Sequence, residues 1–163
     1  MKIETTKIAV ELLTDFFNVL SDGYNPSLIY FQYSENSPNI EKEIFVLPSH
    51  FGNDLENNYY NSIIKTKKEI KNLSLRISEN FQWCSEHLIY FSKTPALFES
   101  KFHLGNFREL VLKVENKIFE ITKNWEYEAN EYLIDSRDGS LRRVVIIKSA
   151  NKSITLDFGN YIH

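Results

Sequence analysis

Between Phe107 and Tyr132 apolar side chains return every three or four residues, and neither glycine nor proline interrupts the run. Turning about 100° per residue from Phe107 brings Leu110, Val111, Val114, Ile118, Ile121, Trp125, Ala129 and Tyr132 within roughly 60° of one direction. Glu109, Lys113, Asn116, Glu120, Lys123, Asn124 and Tyr127 fall on the opposite side. A stripe of this kind predicts a helix that seals a protein interior. Asn106 stands where a cap belongs, and Glu109 three residues later completes a capping-box pattern. The expected helix covers residues 107–132 and would be about 39 Å long.

Glycine and proline divide the rest of the chain. Gly23 and Pro26, Pro38, Pro48 and Gly52, Pro95 and Gly105, and Gly139 mark loops, and neither residue occurs between Gly52 and Pro95. Lys7 to Ser21 reads as a first helix, capped by Thr5 or Thr6, with an apolar arc about 200° wide that needs cover on two sides. Leu28–Tyr33 and Ile44–Leu47 read as strands joined as a hairpin. From Asn53 to Phe91 the two periodicities compete. Tyr60, Ile63, Ile70, Ile77, Phe81, Cys84, Leu88 and Phe91 follow a helical seam, whereas Leu73, Leu75 and Ile77 alternate as a strand would. The longer pattern favours one long or kinked helix.

The tail reads as strands. Asp138-Gly139 is a turn signal. Leu141–Lys148 holds Val144-Val145-Ile146-Ile147, apolar on both faces, as a central strand requires. Ile154, Leu156 and Phe158 alternate with Thr155 and Asp157 as in a half-buried strand, and Asn151-Lys152 would turn between the two. The economical fold is a single α+β domain over residues 1–163. It has a four-stranded antiparallel sheet packed with about three helices, including the long one near 107–132.

Function is harder to read. Cys84 is the only cysteine of 163 residues, which excludes an internal disulfide framework and fits a reducing compartment. Met1-Lys2-Ile3-Glu4 does not open a secretion signal, and no run of about 18 apolar residues would span a membrane. The expected location is cytoplasmic. Cys84 and His87 share a helix face with Glu86 nearby, but Cys84 falls on the apolar seam, where a cysteine is commonly a small hydrophobe. His50, His103 and His163 show no ligand spacing, so neither a metal nor a cofactor is expected. The carboxylates Glu41 and Glu43, and Glu126, Glu128 and Glu131, read as solvated acidic faces, the last two sharing one side of a helix.

Lys65, Lys67, Lys68 and Lys71 follow Tyr59 and Tyr60, a mixture that can hold single-stranded nucleic acid, with Arg137, Arg142 and Arg143 as possible additions. The formal net charge of −3 argues against that partner. A second alternative is a small-ligand protein or enzyme with a pocket between sheet and helices, for which His50, Cys84, His87 and His103 are the side chains to inspect.

Twelve phenylalanines and nine tyrosines make the chain rich in aromatics, and its first 58 residues are strongly acidic. In size, acidity and aromatic content the chain resembles the bacterial toxin immunity proteins of the contact-dependent growth inhibition type; no motif carries the likeness. The resemblance implies a non-enzymatic domain that binds and neutralises a protein toxin, in some cases a nuclease. It points to Glu35, Glu41, Asp54, Glu56, Tyr59 and Tyr60 as partner-binding groups, whose carboxylates would meet a basic surface and speed association.

Overall fold

The computed structural model describes residues 2–10, 27–35, 63–91, 101–135 and 141–160. Helices cover residues 2–10 (α1), Leu73–Phe91 (α2) and Lys101–Thr122 (α3). Strands are β1 (Ser27–Glu35), β2 (Ile63–Glu69), β3 (Glu128–Asp135), β4 (Leu141–Lys148) and β5 (Lys152–Asn160). The protein is α+β, and among the described residues its sheet has five strands, in the order β1-β5-β4-β3-β2, rather than the expected four. Every neighbouring pair is antiparallel.

The additional strands come from segments with helical spacing. α3 ends at Thr122, whose Oγ1 donates to the Ile118 carbonyl at 3.0 Å. The Trp125 N–H then closes a turn on the Thr122 carbonyl at 2.8 Å, and the chain leaves as β3. Ala129 and Tyr132, placed by spacing on one helix face, lie on opposite faces of the sheet. At its other end α3 begins at Lys101 and passes through Gly105 and Asn106, so the expected cap is an interior position. Ile63 and the lysines after it form β2 rather than the start of a long helix. α2 starts after Asn72, whose Oδ1 accepts the Leu75 N–H at 3.0 Å, an N-cap that satisfies one of the free donors of the first turn. The competing strand reading of Leu73–Ile77 is excluded.

α1 also begins earlier than its expected cap. Thr5 and Thr6 lie within the helix, and their hydroxyls donate back to the Lys2 carbonyl at 3.0 and 2.8 Å. Val10 is buried while Ile8 is exposed; residues 11–26 lie outside the described residues, as does the expected strand 44–47. Among the described strands, β1 pairs with β5 instead, from Ser27 opposite Asn160 to Glu35 opposite Lys152.

The main core lies between the helices and one sheet face. Ile29 and Phe31 of β1, Ile154, Leu156 and Phe158 of β5, Val145 and Ile147 of β4, and Ala129 of β3 meet Leu73, Ile77, Phe81 and Cys84 of α2. Val111, Val114 and Ile118 of α3 and Val10 of α1 complete the cluster. β4 is the middle strand, as its apolar run requires. The opposite face carries a second cluster of Tyr132, Ile134, Val144 and Ile146. β5 is therefore buried on both faces, not on one. Ser153, Thr155 and Asp157 are withdrawn from water too, and Asp157 is paired there with Arg142.

Candidate functional site

Of the groups marked for partner binding, Glu35 is described, at the exposed end of β1; Glu41, Asp54, Glu56, Tyr59 and Tyr60 lie outside the described residues. Glu35 belongs to a rim formed where β1, β3, β4 and β5 all end or begin. Strand pairing sets its layout: Glu35 lies opposite Lys152, and Glu128 opposite Lys148. A tight turn joins β4 to β5, with the Ser149 N–H donating to the Lys152 carbonyl at 2.9 Å and the Ser149 hydroxyl to the same oxygen at 3.2 Å.

Aromatic rings reach this rim from two directions. Tyr33 packs against Trp125 with ring centroids 6.2 Å apart and planes tilted by 48°. The Tyr33 hydroxyl donates to Glu35 Oε1 at 2.9 Å. Desolvation first, then the bond to Glu35 and its negative charge, push the Tyr33 hydroxyl above its ordinary value, so it remains a donor. Tyr127 projects into water with 42% of its surface exposed, next to the exposed carboxylates Glu126 and Glu128. These three residues and Lys148, Ser149 and Ala150 line a shallow open depression of about 430 Å³. An exposed ring and carboxylates around a shallow open depression differ from the enclosed, mostly apolar sites that hold small ligands.

The acidic group read on one helix face is divided by β3. Glu128 remains on the rim, whereas Glu131 turns to the helix side, where its Oε1 accepts the Asn80 amide at 2.9 Å and its Oε2 meets Arg76 Nε at 3.7 Å. Arg143 Nη1 donates to Asn80 Oδ1 at 3.5 Å, and the guanidinium carbon lies 4.4 Å from the centroid of Trp83. This network fastens α2 to β3 and β4. Arg142 is buried against Asp157, and Arg137 lies outside the described residues, so neither described arginine extends a basic surface.

The lysine cluster is also divided. It lies on and just after β2, which ends the sheet among the described strands, and the pleat sends successive side chains to opposite faces. Lys67 stacks 5.4 Å from the centroid of Tyr132, and Lys68 pairs in register with Glu131 on the other face. Both are exposed, and lysines at this position protect a sheet edge from unwanted pairing. The one-sided basic stripe needed to follow a nucleic-acid backbone is not formed by them.

Cys84 is free and fully buried in the main core. Burial pushes its thiol far up, against the smaller opposing influence of Arg143. A group held as the neutral thiol beneath packed side chains lacks both the charge and the access that nucleophilic attack needs. Native protein is expected to react with a thiol-labelling reagent about two or more orders of magnitude more slowly than protein in urea; equal rates would contradict this burial. The side chains of His87 and His103, on α2 and α3, and the whole of His50 and His163 lie outside the described residues. Among the described residues no group of histidine, cysteine and carboxylate side chains gathers as a metal set. None of the described helices is long and apolar enough to cross a membrane.

Comparisons with protein-family models, with curated proteins and with solved structures found no significant match to the chain.

Proposed function

We propose that this chain is a non-enzymatic protein-binding domain, and more narrowly an immunity protein that binds and neutralises a toxin, with the rim around Tyr127 and Glu35 as its docking surface. The observation that carries the reading is the exposed Tyr127 ring between free-standing carboxylates, beside the packed Tyr33–Trp125 pair. Aromatic groups of this kind supply most of the energy of small interfaces, and carboxylates around them select a basic partner. The narrower, toxin-directed part rests on the acidic, aromatic-rich composition. The deep burial of Cys84 supports a binding role over thiol catalysis.

Binding by a Tyr127→Ala, Glu126→Gln, Glu128→Gln variant tests the surface. With a partner identified from the native cell, calorimetry should show a loss of at least about 2 kcal/mol, roughly thirtyfold in Kd. The thermal unfolding midpoint should stay unchanged, because all three side chains are exposed. Undiminished affinity would remove the rim from the interface. The toxin reading has its own test: co-expression of this chain with a growth-arresting partner that it binds should restore growth, and continued killing with intact binding would reject neutralisation alone.

A further inference from the structure

Glu115 is a carboxylate in an apolar position. It lies on α3 one turn from both Val111 and Ile118, which are core residues, and only 5% of its surface is exposed. Across the helix pair, Ser78 of α2 faces its side chain and favours the charged form. Its Oε1 is buried and has no hydrogen-bond partner among the described residues. A buried acceptor left in that condition costs about 1–3 kcal/mol, and more when it belongs to a charge. A protonated carboxyl lowers that cost, because it removes the charge and turns one oxygen into a donor.

We infer that the contact between α2 and α3 is a proton-sensitive joint, closing best around a neutral Glu115 and loosening when Glu115 ionises. Among the described residues, the charged groups on the surrounding elements are engaged elsewhere or face water. On α2, Arg76 bridges Glu79 at 3.0 Å and reaches Glu131. On α1, Lys2 bridges Glu120 at 3.5 Å, and Lys7 has a partner of its own. On α3 itself, Lys117 donates to the Thr5 hydroxyl at 3.5 Å, while Glu109 and Lys113 face water. Desolvation is the larger influence on Glu115 and raises its proton affinity above the ordinary value near 4.5; Ser78 opposes it. The folded state therefore holds a proton that the unfolded chain has released. Stability from this group is fully present below about pH 4.5 and is lost as pH rises through the higher folded-state value.

The experiment compares wild type with Glu115→Gln, which keeps the shape of the neutral side chain, in urea unfolding from about pH 4 to about pH 8. At the alkaline end the variant should be the more stable. Its folding equilibrium constant should rise by about tenfold for each pH unit by which burial lifts the carboxyl. The advantage should disappear toward the acid end. Carbon-13 titration of the Glu115 carboxyl should place its midpoint above that of the urea-unfolded chain, and Ser78→Ala should move it further up. A pH-independent difference, a Glu115→Gln protein that is less stable or fails to fold, or an ordinary carboxyl midpoint would each overturn the inference.

Discussion

Replacing Phe81 with alanine should lower the unfolding free energy by about 3–5 kcal/mol. Phe81 is fully buried on α2, and its ring meets the equally buried ring of Phe158 on β5 edge to face, with centroids 5.1 Å apart and planes at 87°. The substitution removes apolar area from the interface between helix and sheet and leaves a cavity that the rigid strand cannot close. Domains of this size are stable by about 5–15 kcal/mol, so one such change can unfold a large fraction of the molecules at physiological temperature. Phe158→Ala should act similarly, and the double variant should reveal a coupling of about 0.5–1.5 kcal/mol for the aromatic pair. Urea unfolding monitored by circular dichroism measures all three. Leu75→Ala, on the same helix but 55% exposed, is the control and should shift stability by about 0.5 kcal/mol or less. A Phe81→Ala loss as small as that of Leu75→Ala would mean that α2 does not cover the sheet at this point.

The register of α2 in that experiment was half legible in the sequence. Ile77, Phe81 and Cys84 follow helical spacing and are all buried on one face, as periodicity predicts. The start of the helix was obscured because the seam also runs backward through Ile70 and Ile63, although those residues lead through a strand. Two local signals mark the break: Asn72 in a capping position before Leu73, and a lysine-rich segment with a β-branched Thr66, a composition suited to a sheet edge.

Misreading of residues 123–132 has a related cause. Where both faces of a sheet are buried, alternation between apolar and polar residues fades. Ala129 on one face and Tyr132 and Ile134 on the other then imitate a spacing of three. Without glycine or proline to mark the end, the stripe from Phe107 to Ile121 appeared to continue. The strand also changes the meaning of the acidic residues, because on a helix Glu128 and Glu131 would face water together, whereas the pleat keeps Glu128 on the rim and sends Glu131 to the α2 network. The rim itself had no sequence signature, since its members are brought together by the pairing of β1, β3, β4 and β5.

Breaking the ion pair on the far side of the sheet should have an effect as large as that of Phe81. Arg142 lies opposite Gly159 in the register and Asp157 opposite Val144, so the pair is diagonal across β4 and β5, and Gly159 places no side chain in the path of the guanidinium. Arg142 Nε lies 3.1 Å from each Asp157 oxygen, and Nη2 bonds to Oδ2 as well. Arg142 is 3% exposed and Asp157 8%, and the apolar cluster of Tyr132, Ile134, Val144 and Ile146 occupies the same sheet face. Attraction between the two groups is strong in such surroundings, but so is the cost of removing each from water, and the two nearly offset. The pair therefore adds little net stability while making each partner depend on the other. Asp157→Ala leaves a buried guanidinium without its counter-charge and should cost about 3–5 kcal/mol, as should Arg142→Ala. Arg142→Met combined with Asp157→Leu should recover most of that loss, because apolar side chains of similar volume need no counter-charge there. Urea unfolding of the two single variants and the double variant decides the matter. Single-variant losses below about 1 kcal/mol are those of a solvated surface pair and would refute the burial argument. A double variant no better than the worse single one would show that the pair contributes net stability that apolar packing cannot replace.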